Sequence, residues 1–113
     1  MRQSEQHLDP ADAAIALTAF QHACTIRHWE LIAAHVRSTH VHLVADGMDE
    51  PMRAIGDLKA YATKALRQHH ASSTTLYWAR GGNVRRLSTV EALRAAIHYV
   101  VNRQGDPMAV YQR

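Results

Sequence analysis

The chain has 113 residues, 47% of them hydrophobic and 20% charged. That suits one compact domain over residues 1–113 and excludes a disordered or low-complexity chain. The single cysteine, Cys24, excludes an intrachain disulfide and any CxxC metal site. No apolar run approaches the roughly 20 residues of a membrane span, and the opening MRQSEQHLD is too polar for a secretory signal. A soluble, cytoplasmic protein with no membrane partner is expected.

The net charge of +3 hides an uneven distribution. Residues 1–50 hold three basic residues against seven acidic ones, whereas residues 51–103 hold nine basic residues against Asp57 and Glu91. Eleven of the thirteen basic residues are arginine, whose planar fork matches phosphate oxygens in a bidentate way. A basic half of this kind is the electrostatic footprint of a nucleic-acid binder, although a solvated surface with a local excess gives the same count.

In chain order, Asp9-Pro10 reads as an N-cap followed by proline at the first helical position. Ala13, Leu17, Phe20 and Cys24 then mark one face of a helix that ends near His28. Trp29 to Val36 reads as a strand, Arg37-Ser38 as a short connection, and Thr39 to Ala45 as a second strand, together an antiparallel hairpin. Asp46 to Pro51 is a loop. Met52, Ile55, Leu58, Ala62, Ala65 and Leu66 share one face of a second helix ending near His69-His70. Thr75 to Arg80 reads as a third strand, broken by Gly81-Gly82-Asn83. Ser88 to Glu91 has capping-box spacing, and a last helix buries Val90, Leu93, Ile97 and Val100 before Gly105 and Pro107 stop it. The order α-β-β-α-β-α predicts an α+β fold. It matches a ferredoxin-like antiparallel sheet with helices on one face, whose first strand is short or missing.

The stretch His40-Val41-His42 lies in the second expected strand. Side chains alternate along a strand, so His40 and His42 share a face with Val44, while Val41, Leu43 and Ala45 take the other. Two imidazoles about 7 Å apart on one face can converge on one ion. The spacing alone is equally that of a solvent-facing strand. On the last helix, Tyr99 lies off the Leu93/Ile97/Val100 stripe, with Asn102 one turn later.

The segment AAHVRSTHVHLVADG resembles the histidine-hydrophobe-histidine region of the HUH single-tyrosine transposases, including the REP-associated tyrosine transposases. LKAYATKAL resembles that family's helix after the motif, WARGG its next strand, and AAIHYVVNRQG its nucleophile helix. The resemblance covers roughly residues 10–105. It implies a single-stranded DNA endonuclease and strand transferase, with the tyrosine on the C-terminal helix. Tyr99 is then the nucleophile, His40 and His42 are metal ligands, and the cofactor is a divalent cation, Mg²⁺ or Mn²⁺. Four residues after the tyrosine the family carries Gln, Asn or Glu; here that position is Arg103, and the adjacent Gln104 is taken as the further ligand. Lys59, Lys64, Arg67, Arg80, Arg85 and Arg86 are the expected nucleic-acid contacts, with Tyr77 or Trp78 available to stack a base. The expected partners are single-stranded or hairpin DNA and a second copy of the chain. Arg103 leaves open a second expectation: a catalytically impaired module of the same fold that binds nucleic acid without cutting it. Tyr61, between Lys59 and Lys64, is a lesser candidate nucleophile, and His35 a lesser candidate for supporting the His40/His42 pair.

Overall fold

A computed structural model of the chain describes residues 9–37, 40–70, 87–102 and 109–113. Residues 1–8, the strand expected over Thr75–Arg80 with its glycine break, and the helix stop at Gly105 and Pro107 lie outside the described residues. The described elements are α1 (Pro10–Arg27), β1 (Glu30–Arg37), β2 (His40–Asp46), α2 (Pro51–His70), α3 (Val90–Asn102) and β3 (Ala109–Gln112). They form an α+β fold: a three-stranded antiparallel sheet in the order β2-β1-β3 with three helices.

Local chemistry sets the ends of α1. The Asp9 side chain accepts from the Asp12 N–H at 2.8 Å, and the Asp9 N–H donates back to the Asp12 carboxylate at 3.4 Å. These contacts satisfy donors that the first turn leaves orphaned, and Pro10 needs none. At the far end His28 turns into the left-handed region at φ 61°, and the Trp29 N–H closes the helix on the Cys24 carbonyl at 2.9 Å. The loop after β2 turns at Gly47, φ 88°. A Cβ there would sit 3.3 Å from the His28 carbonyl oxygen as well as in a strained conformation, so glycine is required.

The hairpin has the expected pairing, with His35 opposite His42 and Arg37 opposite His40. One irregularity interrupts it: the register shifts between Leu31 and Ala33, which makes Ile32 the extra residue of a β-bulge. A bulge advances the alternation by one residue. Leu31, Ala34 and Val36 accordingly share a core with Phe20 and Cys24 of α1 and Leu58, Ala62 and Leu66 of α2. Ile32 and Ala33, consecutive in sequence, both join a second core with Val44 and Val100 of α3.

The expectation of helices on one face is therefore corrected. α1 and α2 cover one face of the sheet, and α3 packs on the other. Six successive residues of β1 are buried, as befits a strand covered on both sides. Two smaller expectations also change. Met52 and Val90, placed on buried faces by spacing, are 64% and 59% exposed. The buried stripe of α2 is instead Ala54, Leu58, Ala62 and Leu66, spaced by four. The cap of α3 is Thr89 rather than Ser88, because the Thr89 hydroxyl accepts from the Ala92 N–H at 3.0 Å.

Strand β3 has no counterpart in the sequence reading. It pairs antiparallel with β1, aligning Val110 with His35 and Tyr111 with Ala34. The Arg113 N–H donates to the Ile32 carbonyl at 2.8 Å, so the carbonyl of the bulged residue is satisfied from β3.

Leu58→Ala removes a fully buried side chain from the larger core. It is expected to cost about 2–5 kcal/mol in urea unfolding, whereas Met52→Ala, at an exposed position, stays within about 0.5 kcal/mol of the parent. Equal losses for the two variants would contradict the assignment of the buried stripe.

Candidate functional site

The site begins with the phase of the sheet. Beyond the bulge, Ala33, His35 and Arg37 share one face of β1, and their register partners Val44, His42 and His40 share that face of β2. This is the face on which α3 packs. Three histidines and one arginine thus lie on neighbouring positions of two paired strands.

Burial differs across the group. His35, on the central strand, is 0% exposed and is one of the largest fully buried side chains. His42 is half-buried and His40, at the start of β2, is exposed. The His42 imidazole titrates below the ordinary histidine range. Burial, which disfavours the charged ring, is the largest cause, followed by His35, His40 and Arg37. A depressed value keeps His42 neutral, the form in which imidazole ligates a metal.

Tyr99 lies off the buried stripe of α3, as its spacing predicts, and is 58% exposed. Its neighbour Val100 is buried in the same core as Val44. Val44 follows His42 by one step of the strand alternation, roughly 7 Å along β2. The helix carrying Tyr99 therefore packs on the sheet face that bears the two histidines, seated on Ile32, Ala33 and Val44. Asn102, one turn on, holds its side-chain amide 3.2 Å from the His98 ring nitrogen four residues back.

The other expected site residues separate from this group. Lys59 and Arg67 are half-buried and Lys64 is exposed, all on α2, whose core contacts are with the opposite face of the sheet. Lys64 lines a groove of about 480 Å³ between α1 and α2, with Ile15, Ala19, His22, Tyr61 and Gln68. Tyr61 packs against the core of that same layer, with the Arg27 guanidinium 5.8 Å above its ring and 5.4 Å from that of Trp29. Arg27 also pairs with Asp57 at 3.3 Å. Tyr61 is thus on the far side of the sheet from His40 and His42. Tyr77, Trp78, Arg80, Arg85, Arg86, Arg103 and Gln104 lie outside the described residues.

Two features were absent from the sequence reading. One is the position of Arg37 on the histidine face, within β1 and opposite His40, where the sequence predicts a connection between strands. The alternation HVR in a strand one residue longer carries that signal. The other is a pairing of distant segments: Asp12 Oδ1 lies 2.6 Å from His70 Nε2. No local pattern joins residues 58 positions apart. Comparison of the chain with protein-family models, with curated proteins and with solved structures finds no match.

The shift at His42 has a definite sign. Its folded value lies below its unfolded one, so its contribution to stability is complete above the ordinary histidine range. That contribution is lost as the pH falls from that range through the lower folded value. By NMR titration of the metal-free protein, His42 is expected to show a midpoint below that of a free histidine. Arg37→Gln, which removes one of the minor causes, should raise that midpoint. An upward-shifted His42 would contradict the arrangement of the four side chains.

Proposed function

We propose that the protein is a metal-dependent single-stranded DNA endonuclease and strand transferase of the HUH single-tyrosine kind, acting in the cytoplasm as a homodimer. The observation that carries this reading is the crossing of α3, with Tyr99, over the sheet face that bears His40 and His42. A tyrosine nucleophile and a two-histidine cradle serve one scissile phosphate only if they share a face. An arrangement with all helices on the opposite face would have kept them apart. The finer fold belongs to the same reading: a ferredoxin-like unit in which α1 and α2 are the paired helices and α3 is appended on the open face.

The donor set fits a divalent cation. His40 and His42 supply two nitrogen ligands on one face, one exposed and one half-buried. Among the described residues no further His, Cys, Asp or Glu joins them in a compact trio. The remaining positions fall to oxygen donors: Gln104, water and the substrate phosphate. Such mixed nitrogen–oxygen ligation suits Mn²⁺ better than Mg²⁺, which prefers oxygen throughout. When bound, the cation offsets the charge that develops on a nonbridging phosphate oxygen.

The chain's own residues do the rest. The Tyr99 oxygen attacks phosphorus as its proton leaves to a base. The Tyr99 O–P bond forms and the P–O3′ bond breaks, and the departing 3′ oxygen takes up a proton to become a hydroxyl. The strand ends as a 5′ phosphotyrosine, which a second 3′ hydroxyl reverses without ATP. An unperturbed phenol is a weak nucleophile at neutral pH, so orientation and charge neutralisation must provide the rate. Arg37, beside His40 on the same face, is suited to a neighbouring phosphate. Lys59, Lys64, Arg67, Arg80, Arg85 and Arg86 remain the proposed wider contacts with DNA.

The second reading, a module that grips a hairpin without cutting, is favoured by Arg103, which occupies the position of a family ligand and cannot itself ligate a cation. Incubation with hairpin-bearing single-stranded oligonucleotides and Mn²⁺ separates the two. A covalent protein–DNA adduct on a denaturing gel is expected. It should be absent with Tyr99→Phe and reduced about a hundredfold or more with His40→Ala or His42→Ala. An adduct that survives Tyr99→Phe would exclude Tyr99 as nucleophile. Binding without any adduct would favour the second reading.

Either reading requires phosphate contacts, so the observed affinity for single-stranded DNA should fall steeply and log-linearly with salt. Arg37→Gln should make that slope shallower by about 0.7, the value of one phosphate contact on a single strand. Affinity independent of salt would overturn both readings.

A further inference from the structure

The sheet face is not the only place where imidazoles gather. At the opposite side of the molecule, the first turn of α1 meets the last turn of α2. Among the described residues, Asp12, His69 and His70 form a trio whose ligand atoms all lie within 4.8 Å of one another. The Asp12 carboxylate is 2% exposed, while both histidines are at the exposed end of α2. Asp12 is oriented by its backbone: Oδ2 is turned to the Asp9 N–H in the capping box, and Oδ1 is turned to His70 Nε2 at 2.6 Å. The His69 and His70 rings stand edge to face, with centroids 4.9 Å apart.

We propose that Asp12, His69 and His70 form a second cation site, selective for Zn²⁺ and similar borderline ions, that clamps α1 to α2. One carboxylate oxygen and two imidazole nitrogens are the donors such ions prefer, with water in the fourth position. Zinc bonds of about 2.0–2.1 Å at tetrahedral angles place ligand atoms roughly 3.3 Å apart. The present spacings bracket that value. The Asp12–His70 contact opens by less than 1 Å, and His69 swings inward from the solvent-exposed helix end. Asp12 needs no movement, because the capping box already fixes its direction. The α2 C-terminus, with its outward carbonyls, favours a positive charge at that end. A nearly buried carboxylate needs a cationic or hydrogen-bonding partner, and the ion gives it one that both histidines share.

This inference is independent of the proposed nuclease activity, since the two sites lie on different sides of the sheet. The test is zinc titration by calorimetry on tag-free protein, with Zn²⁺ alone as the probe, accompanied by thermal unfolding with and without Zn²⁺. His69→Ala is the diagnostic variant, because it leaves the Asp12–His70 hydrogen bond and the core untouched. The expected result is that Zn²⁺ raises the melting temperature of the parent. His69→Ala should abolish that rise and lose one zinc equivalent, or weaken it at least tenfold, the smaller loss typical of even indirect ligand support. The double variant His40→Ala/His42→Ala should keep this zinc equivalent. Zinc binding and thermal response unchanged by His69→Ala would overturn the site and leave Asp12–His70 as a plain hydrogen bond. So would zinc binding abolished by the double variant alone. If the double variant does not fold, the comparison of parent with His69→Ala decides by itself.

Discussion

One extra residue in β1 governs most of what the sheet presents. Without the bulge at Ile32, the alternation begun by Leu31 would carry Ala33, His35 and Arg37 into the apolar core under α1 and α2. Two ionisable side chains would then be desolvated against Phe20, Leu58 and Leu66, at a cost of several kcal/mol. The bulge reverses the phase. It gives Ala34 and Val36 to that core and turns His35 and Arg37 toward His42 and His40. It also places Ile32 and Ala33 together under α3, so the same irregularity that assembles the polar group provides the seat for the tyrosine helix. The link from Arg113 to the Ile32 carbonyl holds β3 against the strand at this point.

That arrangement divides the chain's basic and imidazole groups into two territories. His35, Arg37, His40 and His42 lie on the α3 side of the sheet. Lys59, Lys64, Arg67 and the His69–His70 pair belong to α2, whose core contacts lie on the other side. Among the described residues, Lys59, Lys64 and Arg67 therefore do not join the histidines in one patch. A strand of DNA seated on the His40/His42 face would meet Arg37 directly, and would reach α2 only by passing round the edge of the sheet.

Much of the fold was legible because it is written in local chemistry. Asp9-Pro10 announces α1, the alternation in HVHLVA announces β2, and the fourfold spacing of Leu58, Ala62 and Leu66 announces α2. What was not legible depends on distant partners. The bulge has no glycine or proline to mark it and shows only as two apolar residues, Ile32 and Ala33, in a run already apolar throughout. The side of the sheet that α3 takes is invisible in its own sequence, since the stripe Leu93, Ile97, Val100 fits either face. Strand β3 is four residues long, too short for alternation to stand out from a tail. At the site, the shared face of His40 and His42 follows from spacing alone, but the company of His35 and Arg37 required the phase of the neighbouring strand. The Asp12–His70 contact required the packing of two helices.

The two cores are unequal, and the inequality bears on motion. The layer of α1, α2 and the sheet encloses Phe20, Leu58, Leu66 and a run of alanines that are wholly inaccessible to water. In contrast, α3 has one buried residue, Val100, with Leu93, Ala96, Ile97 and Val101 only partly covered. Free energies of local opening follow the apolar area each element buries, so α3 belongs to the low end of that scale within this molecule. The helix bearing Tyr99 can lift from the sheet while the rest stays folded, and its amides then exchange with solvent sooner than those of α1 or β1. Tyr99, carried on this lightly anchored helix, can therefore change its distance from His40 and His42 without unfolding the strands that hold them.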